Sequence, residues 1–304
     1  MKETKQFLIF GGTGFVGRAF VEKSLLSEYK TILITRSKSS DDVKEKLQKH
    51  GLSKEFIDSQ ISKGNLKIVL DVNLVEGIWA DKDNWLKLIN SKNINLEKID
   101  EIFNFCGLTS STKNRTILES NVETIKNILI LVRLIKENNK DSVFINMGSA
   151  VEKKEKTNFI YDVSKKKVRS ILEESNICDY QIITEYIKGK GEIKMTKAAP
   201  LIWSKLKYSR KWLFGFKVSI VDVDDLADSV MSILNNFKFN KVGLNEIFIT
   251  SGEIVFGEMI KALLPEDKNE IPKLVIPSVL ENTYLYLYFF LFLFFIEKTI
   301  LKLD

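Results

Sequence analysis

The sequence predicts an α/β fold built on a doubly wound parallel sheet. Short runs of β-branched and aromatic residues alternate with longer segments of helical spacing through the first 190 residues. The first run, FLIF, ends directly in the glycine-rich turn GGTGFVG at residues 11–17. The segments between the runs are long enough for the helical crossovers that parallel strands require. These observations favour successive βαβ units with right-handed crossovers.

The elements predicted in this part of the chain are six strands and five helices. Strands are predicted at Phe7–Phe10, Thr31–Thr35, Lys67–Leu70, Glu101–Phe105, Ser142–Met147 and Tyr180–Tyr186. Helices are predicted at Val16–Ser27, Ser40–Lys49, around Trp85–Leu88, at Val122–Glu137 and at Tyr161–Glu174. Strands separated by helices of roughly 10 to 15 residues are typical of parallel sheets.

The pattern changes after residue 190, where the chain is basic and contains Trp203 and Trp212. SIVDVDDLADSVMSIL at 219–234 predicts a strand that turns into a helix, and another strand is predicted at Asn245–Thr250. We therefore assign 1–190 to the parallel-sheet domain, to which 218–236 return. Residues 191–282 are expected to form a smaller, substrate-binding portion that packs on the edge of the sheet and closes a cleft.

The C-terminal residues 283–304 are predicted to form an apolar helix. The run Tyr284–Ile296 has no charge, and Glu297 and Lys298 close it. As a helix this run is about 20 Å long, whereas the hydrocarbon core of a bilayer is roughly 30 Å thick. It is therefore too short to span a bilayer. Three interpretations stay open: a membrane-interface anchor through 283–296, packing on a partner, or a core helix.

The composition excludes several classes of protein. With 304 residues and 44% hydrophobic content, the chain can bury a large core. Two distant cysteines and one histidine do not suffice for a disulfide scaffold or the usual zinc sites, so we expect no metal. The net charge of +6 comes from scattered lysines, which argues against nucleic-acid binding. MKETKQFLIF contains no signal peptide, so a cytoplasmic location is expected, with the inner face of the membrane as a further site if the tail anchors there.

The single histidine, His50, lies in the charged run DDVKEKLQKHGLSKEF at 41–56. We expect it at a solvated helix end, away from any active site. A hydrolase based on serine, histidine and aspartate is therefore disfavoured. Proton transfer is expected to use a group other than imidazole.

The glycine-rich turn predicts a dinucleotide-binding site. Glycines permit a tight turn and close backbone approach, and the N-terminus of the following helix directs N–H groups at a pyrophosphate. The turn also stands between a predicted strand and a predicted helix, as such a site requires. The predicted cofactor-binding residues at this turn are Gly11, Thr13, Gly14, Phe15, Val16 and Gly17.

The ends of the next strands predict which dinucleotide is bound. Instead of an acidic residue for a ribose hydroxyl, the second strand is followed by Arg36, Ser37 and Lys38, which suit the 2′-phosphate of NADP(H). The alternative is that these cations are solvated loop charges. Asp71-Val72 ends the third strand and Phe105-Cys106-Gly107 ends the fourth, where the adenosine half would lie. Cys106 is interpreted as a small packing residue and not as a nucleophile.

Four residues form the predicted catalytic group. Tyr161 and Lys165 lie four residues apart, which places them on one face of a helix. The Lys165 ammonium and an oxidised nicotinamide would favour the phenolate, so Tyr161 could act as general acid in reduction and as base in the reverse direction. Ser149, at the end of the fifth strand, would hydrogen-bond the substrate oxygen. Asn121 could hold a water that passes protons to Lys165, or could simply cap its helix.

These residues resemble those of an extended or atypical short-chain dehydrogenase/reductase, the group of NAD-dependent epimerase/dehydratase proteins with a Rossmann fold. The resemblance covers roughly residues 6–262. It rests on Gly11, Gly14, Gly17, Asp71, Asn121, Ser149, Tyr161, Lys165 and VDVDDLA at 221–227. The stretch from Thr35 to Gly107 also resembles the thioester-reductase and fatty acyl reductase branch, which is NADPH-dependent.

The resemblance implies an NADP(H)-preferring oxidoreductase or epimerase that acts on a small-molecule substrate. The first expectation for the substrate is a sugar carried on a nucleotide or a membrane lipid. The second is an acyl thioester or another lipid carbonyl. A nucleotide-binding subunit or redox sensor without turnover is the third interpretation. The oligomeric state stays open, with a homodimer as one alternative.

Overall fold

A seven-stranded parallel sheet forms the centre of the structure. The computed structural model describes residues 4–108, 114–153, 159–189, 212–214, 217–236, 244–255 and 274–276. The strands are β1 (Gln6–Phe10), β2 (Lys30–Ile34), β3 (Leu66–Val69), β4 (Glu101–Asn104), β5 (Val143–Met147), β6 (Tyr180–Ile183), β7 (Tyr186–Lys188), β8 (Trp212–Phe214), β9 (Lys217–Asp222), β10 (Asn245–Phe248), β11 (Gly252–Val255) and β12 (Leu274–Ile276). The large sheet has the order β10-β6-β5-β4-β1-β2-β3, so the strand order reverses between β1 and β4.

Helices cover both faces of this sheet. They are α1 (Phe15–Leu26), α2 (Ser40–Gln48), α3 (Lys54–Ser62), α4 (Lys82–Ser91), α5 (Asn114–Asn138), α6 (Ile160–Ser175) and α7 (Val223–Asn236). Phe7 and Ile9 of β1 join the apolar core that includes α1, α2, α3 and α7, whereas Leu8 and Phe10 join the core that includes α4, α5 and α6. Because both faces are buried, the four residues Phe7–Phe10 of β1 are all apolar and show no alternation with polar residues.

Two smaller sheets accompany the large one. β9 pairs in parallel with β7 and antiparallel with β11, and β8 pairs in parallel with β12. β9 runs directly into α7, as predicted for this segment. α7 packs on α1, where Lys23 Nζ lies 2.9 Å from Asp228 Oδ2. The helix of the segment 218–236 therefore packs beside the large sheet, while its strand belongs to a smaller sheet.

The predicted doubly wound parallel sheet is confirmed, with the first five strands close to their expected positions. The sixth strand is shorter than predicted, because it ends at Ile183 and Tyr186–Lys188 belongs to another sheet. Between them the carboxylate of Glu185 accepts a hydrogen bond from the Ser219 N–H at 2.7 Å. This contact ties the departing chain to β9.

Two helices differ from their predictions. α3 was not predicted, because this helix is only nine residues long and most of them are polar. The Ser53 hydroxyl caps its N-terminus by accepting a hydrogen bond from the Phe56 N–H at 3.1 Å. α5 begins at Asn114, not at Val122. Asn121 consequently lies two turns inside α5, and its interpretation as the cap of that helix was wrong.

The expectation of a solvated His50 was also wrong. Its side chain is buried, with Nε2 3.2 Å from Asp224 Oδ1 of α7 and 3.6 Å from Glu22 Oε2 of α1. The local sequence is charged, but α7 returns from a distant part of the chain and covers the end of α2. Tertiary packing therefore decides the environment of this residue.

After residue 189 the structure describes only four short ranges of the chain. β10 lies beside β6 as an edge strand of the large sheet, although it falls within the range assigned to the smaller portion. The predicted apolar helix at 283–304 lies outside the described residues. Within the ranges that are described, no helix has the length and the apolar composition needed to cross a membrane.

Candidate active site

The turn after β1 brings backbone segments into close contact. Gly11 has a φ of 73°, and a Cβ at this position would lie 2.7 Å from the backbone nitrogen of Cys106. A Cβ on Gly17 would overlap the carbonyl oxygen of Gly11. Side chains are therefore excluded from both positions. The turn packs between the loop after β4 and the first turn of α1.

The N-terminus of α1 is suited to an anion. Gly14 precedes the helix without a side-chain cap, and the first turn contains no acidic residue. The side chains of Phe15 and Val16 pack on the core, while their backbone N–H groups belong to the N-terminal turn. Such groups have no partner within the helix, and the helix dipole favours negative charge beside them. The residues present therefore fit the pyrophosphate of a dinucleotide.

An open cleft of about 850 Å³ lies where the strand order reverses, at the carboxyl ends of β1 and β4. Several predicted residues line it: Gly11, Thr13, Gly14, Arg36, Val72, Cys106, Gly107 and Asn121. Phe105, which was expected beside the adenosine half, also lines it, whereas sequence reasoning missed Ile34, Asn73, Leu74, Val75, Leu108, Ser120 and Thr124. Most of these follow a strand end, and that position was the available signal.

Arg36 is the predicted cation that reaches the cleft. Its side chain is exposed on the cleft wall, and no carboxylate stands among the described residues that line it. Ser37 is buried instead, and its hydroxyl accepts from Lys46 Nζ at 3.1 Å. Lys38 is exposed and is not part of the described lining. Of the three residues predicted for a 2′-phosphate, one is therefore placed at the cleft.

Of the residues predicted at the ends of β3 and β4, some line the cleft and others do not. Val72 lines the cleft, whereas Asp71 is exposed at a φ of 61° and its N–H donates to the Ser37 carbonyl at 2.9 Å. Asp71 therefore joins the turns after β3 and β2. Burial raises the pKa of the Cys106 thiol to about 12, so the thiol stays protonated at neutral pH. This favours packing over nucleophilic chemistry for Cys106.

Tyr161 and Lys165 lie near the start of α6, on one side of that helix. Lys165 Nζ is 6.0 Å from the centroid of the Tyr161 ring and donates to the Met147 carbonyl at 3.4 Å. A Cβ on Gly107 would lie 3.3 Å from the same Nζ. The ammonium is thus held between the end of β5 and the loop after β4, beside the cleft.

Ser149 is buried just after β5. Its N–H donates to Glu152 Oε1 at 2.9 Å. Sequence reasoning missed Glu152, because a glutamate in EKKEK is expected to be solvated. Burial raises the pKa of its carboxyl to about 7, and the Lys165 ammonium opposes that rise.

Asn121 joins three elements around the cleft. Its Oδ1 accepts from the Leu108 N–H at 2.8 Å, and its Nδ2 donates to the Leu108 carbonyl at 3.1 Å. Nδ2 also donates to the Ser164 hydroxyl of α6 at 3.0 Å. The side chain therefore holds the loop after β4 to α5 and α6.

The family of the chain follows from comparison with known proteins. Residues 7–244 match the model of the NAD dependent epimerase/dehydratase family. Because the match spans most of the sequence, the chain belongs to this family. A search of curated protein sequences gave no match. In the described residues, no three His, Cys, Asp or Glu side chains are grouped so that they could hold a metal ion.

Solved structures show the same fold at low sequence identity. WbmH from Bordetella bronchiseptica, in complex with NAD⁺, is 16% identical, with a TM-score of 0.57 over 90% of this chain and 86% of that one. MlghC from Campylobacter jejuni, a GDP-mannoheptose C4 reductase with NADP bound, is 15% identical, with a TM-score of 0.55 over 91% and 88%. The terminal R domain of the myxalamid PKS-NRPS pathway is 13% identical, with a TM-score of 0.64 over 91% and 73%.

Fold, cleft and family define an NAD(P)-dependent enzyme. The family is that of NAD-dependent epimerases and dehydratases, so membership supports a nicotinamide cofactor and leaves the particular reaction open.

Proposed function

We propose that the protein is an NADP(H)-preferring oxidoreductase or epimerase that transfers a hydride and a proton at a carbonyl or carbinol carbon. The observation that carries the proposal is the position of Lys165 Nζ, held between Met147 and Gly107 beside the cleft with the centroid of the Tyr161 ring 6.0 Å away. This arrangement supplies a proton-transfer group without a histidine. The one histidine, His50, is buried between α1 and α7.

The chain's own residues carry the proton and orient the substrate. A bound nicotinamide supplies the hydride acceptor or donor. The Tyr161 hydroxyl gives a proton to the substrate oxygen in reduction and removes it in oxidation, while the Lys165 ammonium stabilises the phenolate. The Ser149 hydroxyl donates to the same substrate oxygen. Asn121 fixes the backbone of Leu108 beside Gly107, so its role in the proposal is to position this wall of the cleft.

The NADP(H) preference rests on charge. Arg36 stands on the cleft wall after β2, and the described lining contains no carboxylate that would favour a free ribose hydroxyl. A guanidinium suits a phosphate because it can form two charge-assisted hydrogen bonds. Among the similar structures, MlghC contains NADP and WbmH contains NAD⁺.

The first substrate proposed is a sugar carried on a nucleotide or a lipid. The family includes sugar-modifying enzymes, and MlghC, which shares the fold, is named as a GDP-mannoheptose reductase. The second candidate is an acyl thioester or another lipid carbonyl. It is favoured by the resemblance of the stretch from Thr35 to Gly107 to NADPH-dependent thioester reductases.

The test is turnover with NADPH against panels of nucleotide sugars and acyl thioesters. Tyr161→Phe should lower turnover by roughly 10²- to 10⁴-fold while NADPH binding is retained. Unchanged turnover in this variant would refute the assignment of Tyr161 as acid and base. A parent protein that binds NADPH without converting either panel would favour the third interpretation, a non-catalytic nucleotide-binding subunit or sensor.

We also propose that 283–296 associate with a membrane surface, on the grounds that this run is uncharged and rich in aromatic residues. Flotation with anionic vesicles should recover the full chain, and a variant that ends at residue 282 should stay with the soluble fraction. Equal distribution of the two proteins would refute this role.

A further inference from the structure

A row of buried polar side chains crosses the large sheet below the candidate active site. Asn104 of β4, Asn146 of β5 and Gln181 of β6 are in-register partners on neighbouring parallel strands. Such partners project to the same face of a sheet. The three side chains are at most 4% exposed. Buried amides destabilise a fold unless they form hydrogen bonds, so their bonding partners indicate what the row does.

Each end of the row holds a loop that borders Lys165. At one end, Asn104 Oδ1 accepts from the Cys106 N–H at 2.9 Å, and Asn104 Nδ2 donates to Asn146 Oδ1 at 2.7 Å. At the other end, Gln181 Nε2 donates to Glu152 Oε2, whose second oxygen accepts from the Ser149 N–H. The two pairs are not joined to each other, because Asn146 Nδ2 and Gln181 Oε1 have no hydrogen-bond partner in the described part of the chain. Glu152 is the anion that pairs with Gln181 at its end of the row.

Gly148 leaves room for this contact. A Cβ at residue 148 would lie 2.7 Å from Gln181 Nε2 and 2.9 Å from Gln181 Cγ. A side chain there would push the amide away from Glu152. The position of the carboxylate thus depends on three neighbouring segments: the end of β5, the 3₁₀ turn at Ala150–Lys153 and β6.

The charges that face Glu152 come from two elements. Lys165 and Arg169 belong to α6, and Glu246 belongs to β10. Glu246 is itself paired, at 2.5 Å with Arg169 Nη1 and at 2.7 Å with Lys153 Nζ. Lys165 and Arg169 both lower the pKa of Glu152, Lys165 more strongly, and Arg169 is also paired with Glu246.

We propose that Glu152 is a positioning residue, which fixes the backbone of Ser149 and holds a negative charge opposite Lys165. Its catalytic consequence rests on the proposed function, because it acts through Ser149 and through the Lys165 that supports Tyr161. The ionised carboxylate accepts from both the Ser149 and Gln181 N–H groups. The protonated carboxyl group is neutral, and one of its oxygens carries the proton. It therefore supplies no charge to Lys165 and accepts hydrogen bonds from the Ser149 and Gln181 N–H groups less well.

This role predicts a pH dependence in a physiological range. Burial raises the pKa of Glu152 to about 7, so protonation as the pH falls below 7 removes the charge opposite Lys165. Turnover should therefore fall on the acidic side with a midpoint near pH 7. The same event should shift the NMR signal of the Ser149 amide, with or without substrate.

The experiment compares Glu152→Gln with Glu101→Gln. Glu101 is also buried, with a pKa raised to about 7, but it lies at the amino end of β4, away from the cleft. Both variants remove one buried carboxyl of similar character. We would follow the Ser149 amide in isotope-labelled full-length protein across pH 5 to 9, assign it with Ser149→Ala, and measure kcat and KM for NADPH-dependent turnover over the same range.

In the parent and in Glu101→Gln, the chemical shift of the Ser149 amide should change with a midpoint near pH 7, and kcat should fall on the acidic side of that midpoint, which is the acidic limb of the profile. In Glu152→Gln, the titration and the limb should both disappear, and kcat at pH 8 should fall by about 10- to 100-fold with little change in KM. Urea unfolding at pH 8 should show both variants to be at least as stable as the parent. Loss of activity then cannot come from unfolding.

Two results would overturn the proposal: a Ser149 amide that does not titrate in the parent or still titrates in Glu152→Gln, or unchanged kcat in Glu152→Gln. Failure of the proposed function looks different, because the parent would show no turnover or Tyr161→Phe would be fully active. The amide titration then decides by itself whether Glu152 holds Ser149.

Discussion

Replacing Glu101 with glutamine should stabilise the protein above neutral pH. Glu101 begins β4 and is 3% exposed. Its Oε1 accepts from Lys5 Nζ at 2.6 Å, while Oε2 has no hydrogen-bond partner in the described part of the chain. Burial raises the pKa of the carboxyl to about 7, although Lys5 opposes the rise. Ionisation of this carboxyl group therefore lowers the stability of the folded protein.

The size and sign of the effect follow from linkage. The free-energy difference between the ordinary pKa of 4.5 and a folded pKa of about 7 is about 3 kcal/mol. Because the folded state binds the proton more tightly than the unfolded chain, the stabilisation is fully present below pH 4.5 and is lost as the pH rises through about 7. Glutamine does not titrate, so the stability of Glu101→Gln does not decrease in this way as the pH rises.

Urea unfolding of the parent and Glu101→Gln at pH 5 and pH 8 measures the effect. The free energy of unfolding of the variant relative to the parent should rise by about 2 to 3 kcal/mol between these pH values. Glu55→Gln, at an exposed position on α3, is the matched control and should show almost no such change. A variant whose advantage is equal at both pH values would refute the assignment of a raised pKa to Glu101.

Two further predictions concern the cleft proposed to bind the cofactor. Arg36→Ala should weaken NADPH binding by about 1.5 to 3 kcal/mol in fluorescence titrations and leave NADH nearly unaffected, because only the 2′-phosphate needs the guanidinium; an equal loss for both cofactors would exclude that role. Gly17→Ala should reduce binding of either cofactor and lower the unfolding temperature, because the added methyl overlaps the Gly11 carbonyl. Normal binding by Gly17→Ala would show that the turn can relax.

Much of the fold was predictable because its signals are local. The run FLIF, the glycine turn after it and the helix from Phe15 follow one another in the chain, so periodicity and turn chemistry identify them together. Tyr161 and Lys165 are neighbours on a helix for the same reason. Short polar segments give weaker signals, and α3 and the first two turns of α5 were missed accordingly.

The environment of single side chains was far less predictable. His50 and Glu152 both stand in lysine-rich, charged stretches, and both are buried. His50 is covered by α7, which contributes Asp224 from 174 residues further along the chain. Glu152 is enclosed through Gln181, 29 residues away. Burial at such sites depends on segments that the local pattern does not contain.

By itself, the sequence determined the parallel α/β fold, the glycine-rich turn at Gly11–Gly17 between β1 and α1, and the position of Tyr161 and Lys165 on one helix, because each depends on residues close together in the chain. Only the tertiary structure decided that Arg36 reaches the cleft while Ser37 is buried, and that the Glu152 carboxylate accepts a hydrogen bond from the Ser149 N–H. The physical reason is strand register: Asn104, Asn146 and Gln181 become neighbours only when β4, β5 and β6 are hydrogen-bonded side by side.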